Sequence, residues 1–156
     1  VQKYWSNPST VEWCQYLLNS YAYWTKHDLL QRDGTPLTQA KQLFDHSKII
    51  VSHGTQTDPV LNFGNHAALR LWEMDWEQFT RTPSRQTAEP MNREERSRML
   101  AQARSQGYIS NYRGIRISST GKRFLINHAI IWTVQNASGA TVGQAAAFSD
   151  WHFLND

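Results

Sequence analysis

The sequence predicts an α+β domain, a five-stranded antiparallel sheet with helices on one face and a helical extension at its N-terminus. Three observations lead to it. Apolar residues recur at the helical period through the first third of the chain, two short β-branched runs follow, and three long alternating runs close it. At 156 residues one core buries about two thirds of the unfolded surface, so a single domain is expected over 1–156. Residues 1–46 form the extension in this reading and 47–156 the core.

The first helix is expected to begin at Ser9, because Glu12 three residues on completes a capping box, with Asn7 and Pro8 leading in. Trp13, Leu17, Tyr21 and Trp24 then fall on one face. Thr35 caps a second helix that starts with Pro36, where a missing amide hydrogen costs nothing, and whose apolar face is Leu37, Ala40, Leu43 and Phe44. From Ile49 the period changes. IIVSHG and VLNF read as a hairpin turned at Asp58 and Pro59. Asn65 can cap AALRLW, and Asp75 a further turn to Phe79. RTPSRQTAEP reads as a loop, and Asn92 with Glu95 as the box that opens a helix ended by Gly107. YISNYRGIRIS, KRFLINHAIIWTV and TVGQAAAFSDWHFL are the closing strands, separated at 119–121 and 136–139. Simple alternation puts Phe124, Ile126, His128, Ile130 and Trp132 on one face of the middle strand.

Composition narrows the function classes. Hydrophobic residues make up 40% of the chain, and seven tryptophans supply large buried areas, which excludes a disordered chain. The net charge of +3 is spread without a basic stripe or tail, so no nucleic-acid partner is expected. No apolar run approaches the ~20 residues that span a bilayer, so no membrane partner is expected. Cys14 has no second cysteine to pair with and no leader pattern is seen, which points to a cytoplasmic setting.

Chemistry-bearing residues are scattered. His46, His53, His66, His128 and His152 form no i, i+4 pair and no cluster with Cys14, so no metal site is expected. Ser52 and His53 face opposite sides of a strand and cannot cooperate, whereas Asp150 and His152 share a face and are the one pair an enzyme could use. No catalytic residue is assigned. Arg81, Arg85, Arg93, Arg96 and Arg98 interleave with Glu89, Glu94 and Glu95, which reads as a solvated helix with internal ion pairs, or else as a phosphate grip. The aromatic N-terminus is too rich for one helix face. Trp5, Trp13, Tyr16, Tyr21 and Trp24 either cover the open face of their own sheet or form a homodimer interface.

VLNFGNHAALRLWEMD resembles the strand, asparagine and helix entry of PAS domains. The longer stretch SHGTQTDPVLNFGNHAALRLWEMDWEQFTRTPSRQTAEP, with SSTGKRF and FSDWHFL, is similar to the MEKHLA domain, a PAS-related module of stand-alone bacterial proteins. A version of it also closes plant class III homeodomain-leucine zipper factors. The resemblance implies a PAS-like sheet and a sensory or interaction role, and brings no catalytic set with it. It does not extend to DNA binding, since no homeodomain or zipper pattern is present. No cofactor is named by the residues. Light-sensing PAS domains carry a reactive cysteine in a GRNCRFL-like segment, which this chain lacks, so no flavin–cysteine photochemistry is expected. A PAS-like sheet implies a small-molecule pocket. Strand parity would line it with Phe124, Ile126, His128, Val142, Gln144 and Ala146, opposite Val51, His53, Leu69 and Trp72. The alternatives are a dimerisation module without a ligand and a small enzyme with an unrecognised site.

Overall fold

A computed structural model describes residues 3–155. Helices α1 (Pro8–Thr25) and α2 (Pro36–Asp45) precede the hairpin strands β1 (Ile49–His53) and β2 (Leu61–Gly64). Then come α3 (His66–Trp72), α4 (Trp76–Phe79) and α5 (Pro90–Gln106), followed by β3 (Tyr108–Ile117), β4 (Arg123–Gln135), β5 (Thr141–Phe148) and β6 (Asp150–Phe153). The strands make one antiparallel sheet in the order β2-β1-β5-β4-β3. β6 is the sixth strand where five were expected. It continues β5 along β4 in the same register, from Ile130 opposite Ala147 to Asn127 opposite Asp150. The interruption at Ser149 falls just past the last β1 partner, Ile49 opposite Phe148, where the strand becomes an edge.

Most helix starts follow side-chain chemistry. Thr35 Oγ1 accepts from Thr38 N at 3.2 Å, Asn65 Oδ1 from Ala68 N at 3.1 Å and Asp75 Oδ1 from Gln78 N at 2.8 Å. Two starts lie earlier than the capping boxes suggested, for one reason: a proline fits the first helical position. Pro8 takes it in α1, so Asn7 is the cap and not Ser9. Pro90 takes it in α5, so Asn92 and Glu95 lie inside the helix, and Glu95 instead accepts from the Tyr112 hydroxyl at 2.8 Å. Gly107, at φ 89°, ends α5 in a left-handed conformation beneath the Trp24 ring.

The sheet separates two apolar layers. On its outer face, Cys14, Leu17, Leu18 and Tyr21 of α1 and Leu43 of α2 pack on Ile50, Phe63, Trp132, Val134 and Ala145. On the inner face, Leu69, Trp72, Phe79, Met99 and Ala103 of α3 to α5 pack on Leu61, Phe124, Ile126, Ala129, Ile131 and Phe148. Alanines in β5 let both layers approach the middle of the sheet. Gly143 goes further: a Cβ there would collide with the His53 carbonyl and the Trp13 ring. Burial raises the Cys14 thiol to about 12, so it is an inert core group.

Three extra residues reverse strand parity along β3 to β5, and Asn62 does the same in β2, where it sets Leu61 and Phe63 on opposite faces. β3 carries one at Asn111 and β4 one at His128, both with left-handed backbones, φ 58° and 55°. Phe124 and Ile126 therefore face inward, and beyond the bulge Ala129 and Ile131 do so, while Ile130, Trp132 and Val134 turn to α1. β5 carries the third at Val142, between the pairs Gln135–Thr141 and Val134–Gly143.

Candidate ligand cavity

Between the inner face of the sheet and α3 to α5 lies a cavity of about 70 Å³. Its apolar wall includes Val51, Leu61, Trp72, Phe79, Ile126 and Phe148. Its charged groups come from α5 and β3, and Ser84, Thr87, His53 and Gln144 add further polar side chains. Arg96 falls on the stripe of α5 that also carries Met99 and Ala103, at spacings of three and seven. Arg116 shares the inward parity of Tyr112, four residues before it on β3. Both guanidiniums are thereby drawn inside, at 7% and 6% exposure.

Neither arginine forms an ion pair with a carboxylate among the described residues. Arg96 Nη2 donates to Ser84 Oγ. Arg116 donates to the Tyr112 hydroxyl at 3.1 Å and to its neighbour's carbonyl, that of Ile115, at 2.8 Å. The Tyr112 hydroxyl in turn donates to Glu95, which puts the nearest compensating carboxylate one side chain removed from Arg116. Burial pulls the Arg96 pKa down to about 10; the charges of Arg116 and Arg93 add to the effect, and Tyr112 and Asp58 oppose it. At that value Arg96 stays positive at neutral pH. Two like charges thus face one small, largely apolar space, an arrangement that costs several kcal/mol without compensation.

Two residues of the cavity lining each carry a buried polar atom without a partner among the described residues: His53 Nε2 and Trp72 Nε1. The Gly54 carbonyl, 2.9 Å from His53 Nδ1, can only accept, so Nδ1 carries the ring proton and Nε2 a free lone pair. Buried polar groups are satisfied in the great majority of proteins. An orphaned donor and an orphaned acceptor beside one cavity mark it as a place for a polar occupant.

Burial lowers the His53 pKa below its ordinary 6.5; the Gly54 bond opposes this, and Arg96 and Arg104 assist it. His46 is lowered as well, by its burial and by Lys48. Both are therefore neutral in the fold, and the unfolded chain binds more protons as the pH drops past about 6.5. Stability is fully present above that value and falls on acidification. A urea midpoint lower at pH 5.5 than at pH 7.5, with a smaller drop in His53→Gln, is the expected outcome; equal drops in both proteins would contradict it.

Of the ten residues expected in the pocket, Val51, His53, Trp72, Ile126, Gln144 and Ala146 lie at the cavity. Four do not. Leu69 packs within the inner core away from it, and Phe124 is buried beneath Trp72, ring centroids 5.2 Å apart. His128 is thrown outward by its own bulge, its Nδ1 2.9 Å from Asp150 Oδ2 on the surface. Val142 is the extra residue of β5 and packs toward α1. Sequence reasoning missed Arg96 and Arg116 as cavity residues. Of the arginine group, only Arg98 forms, among the described residues, an internal ion pair of the expected kind, with Glu94 on the surface of α5; Arg85 lies before the helix and pairs with Asp58 of the hairpin turn, and Arg96 is buried. Asp150 and His152 are both exposed, so the pair offered to an enzyme reading lies outside any enclosed site. Among the described residues no group of three or more His, Cys, Asp or Glu side chains could hold a metal ion, and no helix is long and apolar enough to cross a membrane.

The N-terminal aromatic residues are turned toward their own sheet. Trp13 Nε1 donates to Ser52 Oγ at 2.9 Å and Trp24 Nε1 to the Thr133 carbonyl at 2.8 Å. Tyr21 is 7% exposed, and Trp5 and Tyr16 pack against the outer core.

The model of the MEKHLA domain matches residues 11–153. The homeobox-leucine zipper protein ATHB-9 of Arabidopsis thaliana is 27% identical over 154 residues, 96% of this chain. This chain spans 18% of that protein's length. Among solved structures, a PAS domain from Colwellia psychrerythraea superposes with a TM-score of 0.62 at 18% identity, over 72% of this chain and 93% of the other. An RNA-binding light-oxygen-voltage receptor gives 0.62 at 18% identity, over 80% of this chain and 36% of that one. At those identities the likeness is one of fold.

Proposed function

The chain belongs to the MEKHLA domain family, and on that premise we propose that it works as a PAS-like sensory module that binds a small ligand between the sheet and α3 to α5 and catalyses nothing. Residues 47–156 are the sensory core in this reading, and 1–46 the extension that covers the outer face. One observation carries it. The lining of the cavity under α3 to α5 combines two buried guanidiniums with two residues that carry unpartnered polar atoms, in a largely apolar layer. A module that only held partners together would have no reason to keep such groups there, since an apolar filling would be more stable. The volume bounds the ligand. At about 70 Å³ the space is well below the ~300–1,000 Å³ of common cofactor and drug-sized sites. This argues against a flavin or haem in the enclosed arrangement.

The homodimer reading gains no such support, because Trp13, Tyr21 and Trp24 are committed to the chain's own sheet.

Native mass spectrometry of freshly purified protein tests the ligand. A small-molecule adduct, released on denaturation and absent from Ala146→Leu, is expected, because the larger side chain occupies the cavity. Ligand-free protein in both cases, with Ala146→Leu simply more stable, would reduce the cavity to a packing void.

A further inference from the structure

Resting on that reading, we propose that the cavity ligand is a compact carboxylate with a short aliphatic body, its carboxylate held between Arg96 and Arg116.

Charge sets the first requirement. Arg96 and Arg116 reach the cavity from α5 and β3, each almost wholly buried and neither ion-paired to a carboxylate among the described residues. Their contacts with the protein are to neutral oxygens: the Ser84 hydroxyl, the Tyr112 hydroxyl and the Ile115 carbonyl. An anion between them would supply the missing compensation, and a guanidinium fork matches the two oxygens of a carboxylate. The unpartnered Trp72 Nε1 adds a neutral N–H donor of the kind that an anion also accepts from. His53 is neutral and offers a lone pair, so it adds no positive charge and can accept from a water or a ligand hydroxyl.

Shape sets the second. The space holds about five water-sized groups, taking ~15 Å³ for each. Most of the rest of the wall is apolar, including Val51, Leu61, Phe79, Ile126 and Phe148, with Ser84, Thr87 and Gln144 as further polar members. Inorganic phosphate would leave that wall facing charged oxygen, whereas a three- or four-carbon chain would cover it. The match is a molecule the size of propionate or butyrate.

Thermal unfolding of exhaustively dialysed protein, followed at constant ionic strength with added butyrate, propionate, butyramide, inorganic phosphate or sodium chloride, tests this. Butyrate or propionate should give a saturable rise in Tm, with an apparent Kd at least tenfold lower than that of butyramide or phosphate. Arg96→Met and Arg116→Met should each weaken the carboxylate effect at least tenfold, without lowering the Tm of the ligand-free protein. The wild-type comparison of butyrate with butyramide stands even if both variants fold poorly. Equal binding of butyramide would overturn the carboxylate while leaving a ligand cavity in place. Tighter binding of phosphate would overturn it too. No response to any solute, together with ligand-free protein in the mass spectrum, would remove the cavity reading as well.

Discussion

Asn65→Ala is expected to destabilise the fold by about 3–5 kcal/mol, a large share of the ~5–15 kcal/mol that holds a domain of this kind together. Asn65 is wholly buried where three elements meet. Its Oδ1 accepts from Ile50 N at 3.2 Å, opening β1, and from Ala68 N at 3.1 Å, capping α3. Its Nδ2 faces the carbonyls of Leu43, His46 and Lys48 at 3.3, 3.2 and 2.7 Å, closing the turn after α2. Alanine leaves both amides and the carbonyls without this partner, and water cannot easily replace it. Asn65→Asp is the sharper variant. It keeps the cap oxygen but sets a carboxylate against three carbonyls, so it should be no more stable than Asn65→Ala, although aspartate is a good N-cap elsewhere. Urea unfolding followed by circular dichroism measures both. A loss below 1 kcal/mol in Asn65→Asp would show that the cap alone matters at this position.

Trp132→Ala is expected to cost a similar amount, about 3–5 kcal/mol, through a different mechanism. The indole is fully buried in the outer layer, with the Tyr21 ring edge-on at a centroid distance of 5.0 Å and Nε1 donating to the Leu17 carbonyl at 3.2 Å. Truncation opens a cavity beneath α1, so the loss should appear as faster amide exchange in α1 and α2 before the inner layer is affected. Trp132→Phe keeps most of the volume and should lose only about 1–2 kcal/mol, reflecting the hydrogen bond and the smaller ring. Exchange that accelerated equally on both faces of the sheet would contradict a layered division of stability.

Where local chemistry decides an element, the sequence carries it. Thr35, Asn65 and Asp75 cap helices because their side-chain oxygens sit one residue before helical runs, and nothing distant alters that. The family resemblance rests on the same segment and on the closing strand, and the fold agrees with it. The cavity lining was legible only as far as strand parity held. His128 escapes simple parity because no glycine or proline in β4 announces its bulge, whereas the bulge at Val142 is marked by the adjacent Gly143, and one extra residue turns every later side chain over. Asn111 and His128 are both of types that tolerate a left-handed backbone. Arg96 was read as a solvated residue because charged neighbours surround it. The signal that it was not lay in its spacing to Met99 and Ala103, and Arg116 had the same signal in its parity with Tyr112. Both are buried by the packing of α5 on β3, which that spacing marks only as a shared face.

The central claim is that the space under α3 to α5 holds a ligand, and the density inside it in crystals of freshly purified protein tests that most directly. The account predicts a compact, connected feature within hydrogen-bonding distance of Arg96 and Arg116, with its remainder against the apolar wall. A cavity collapsed onto its lining, or one filled only by separate waters that satisfy His53 Nε2 and Trp72 Nε1, would contradict it.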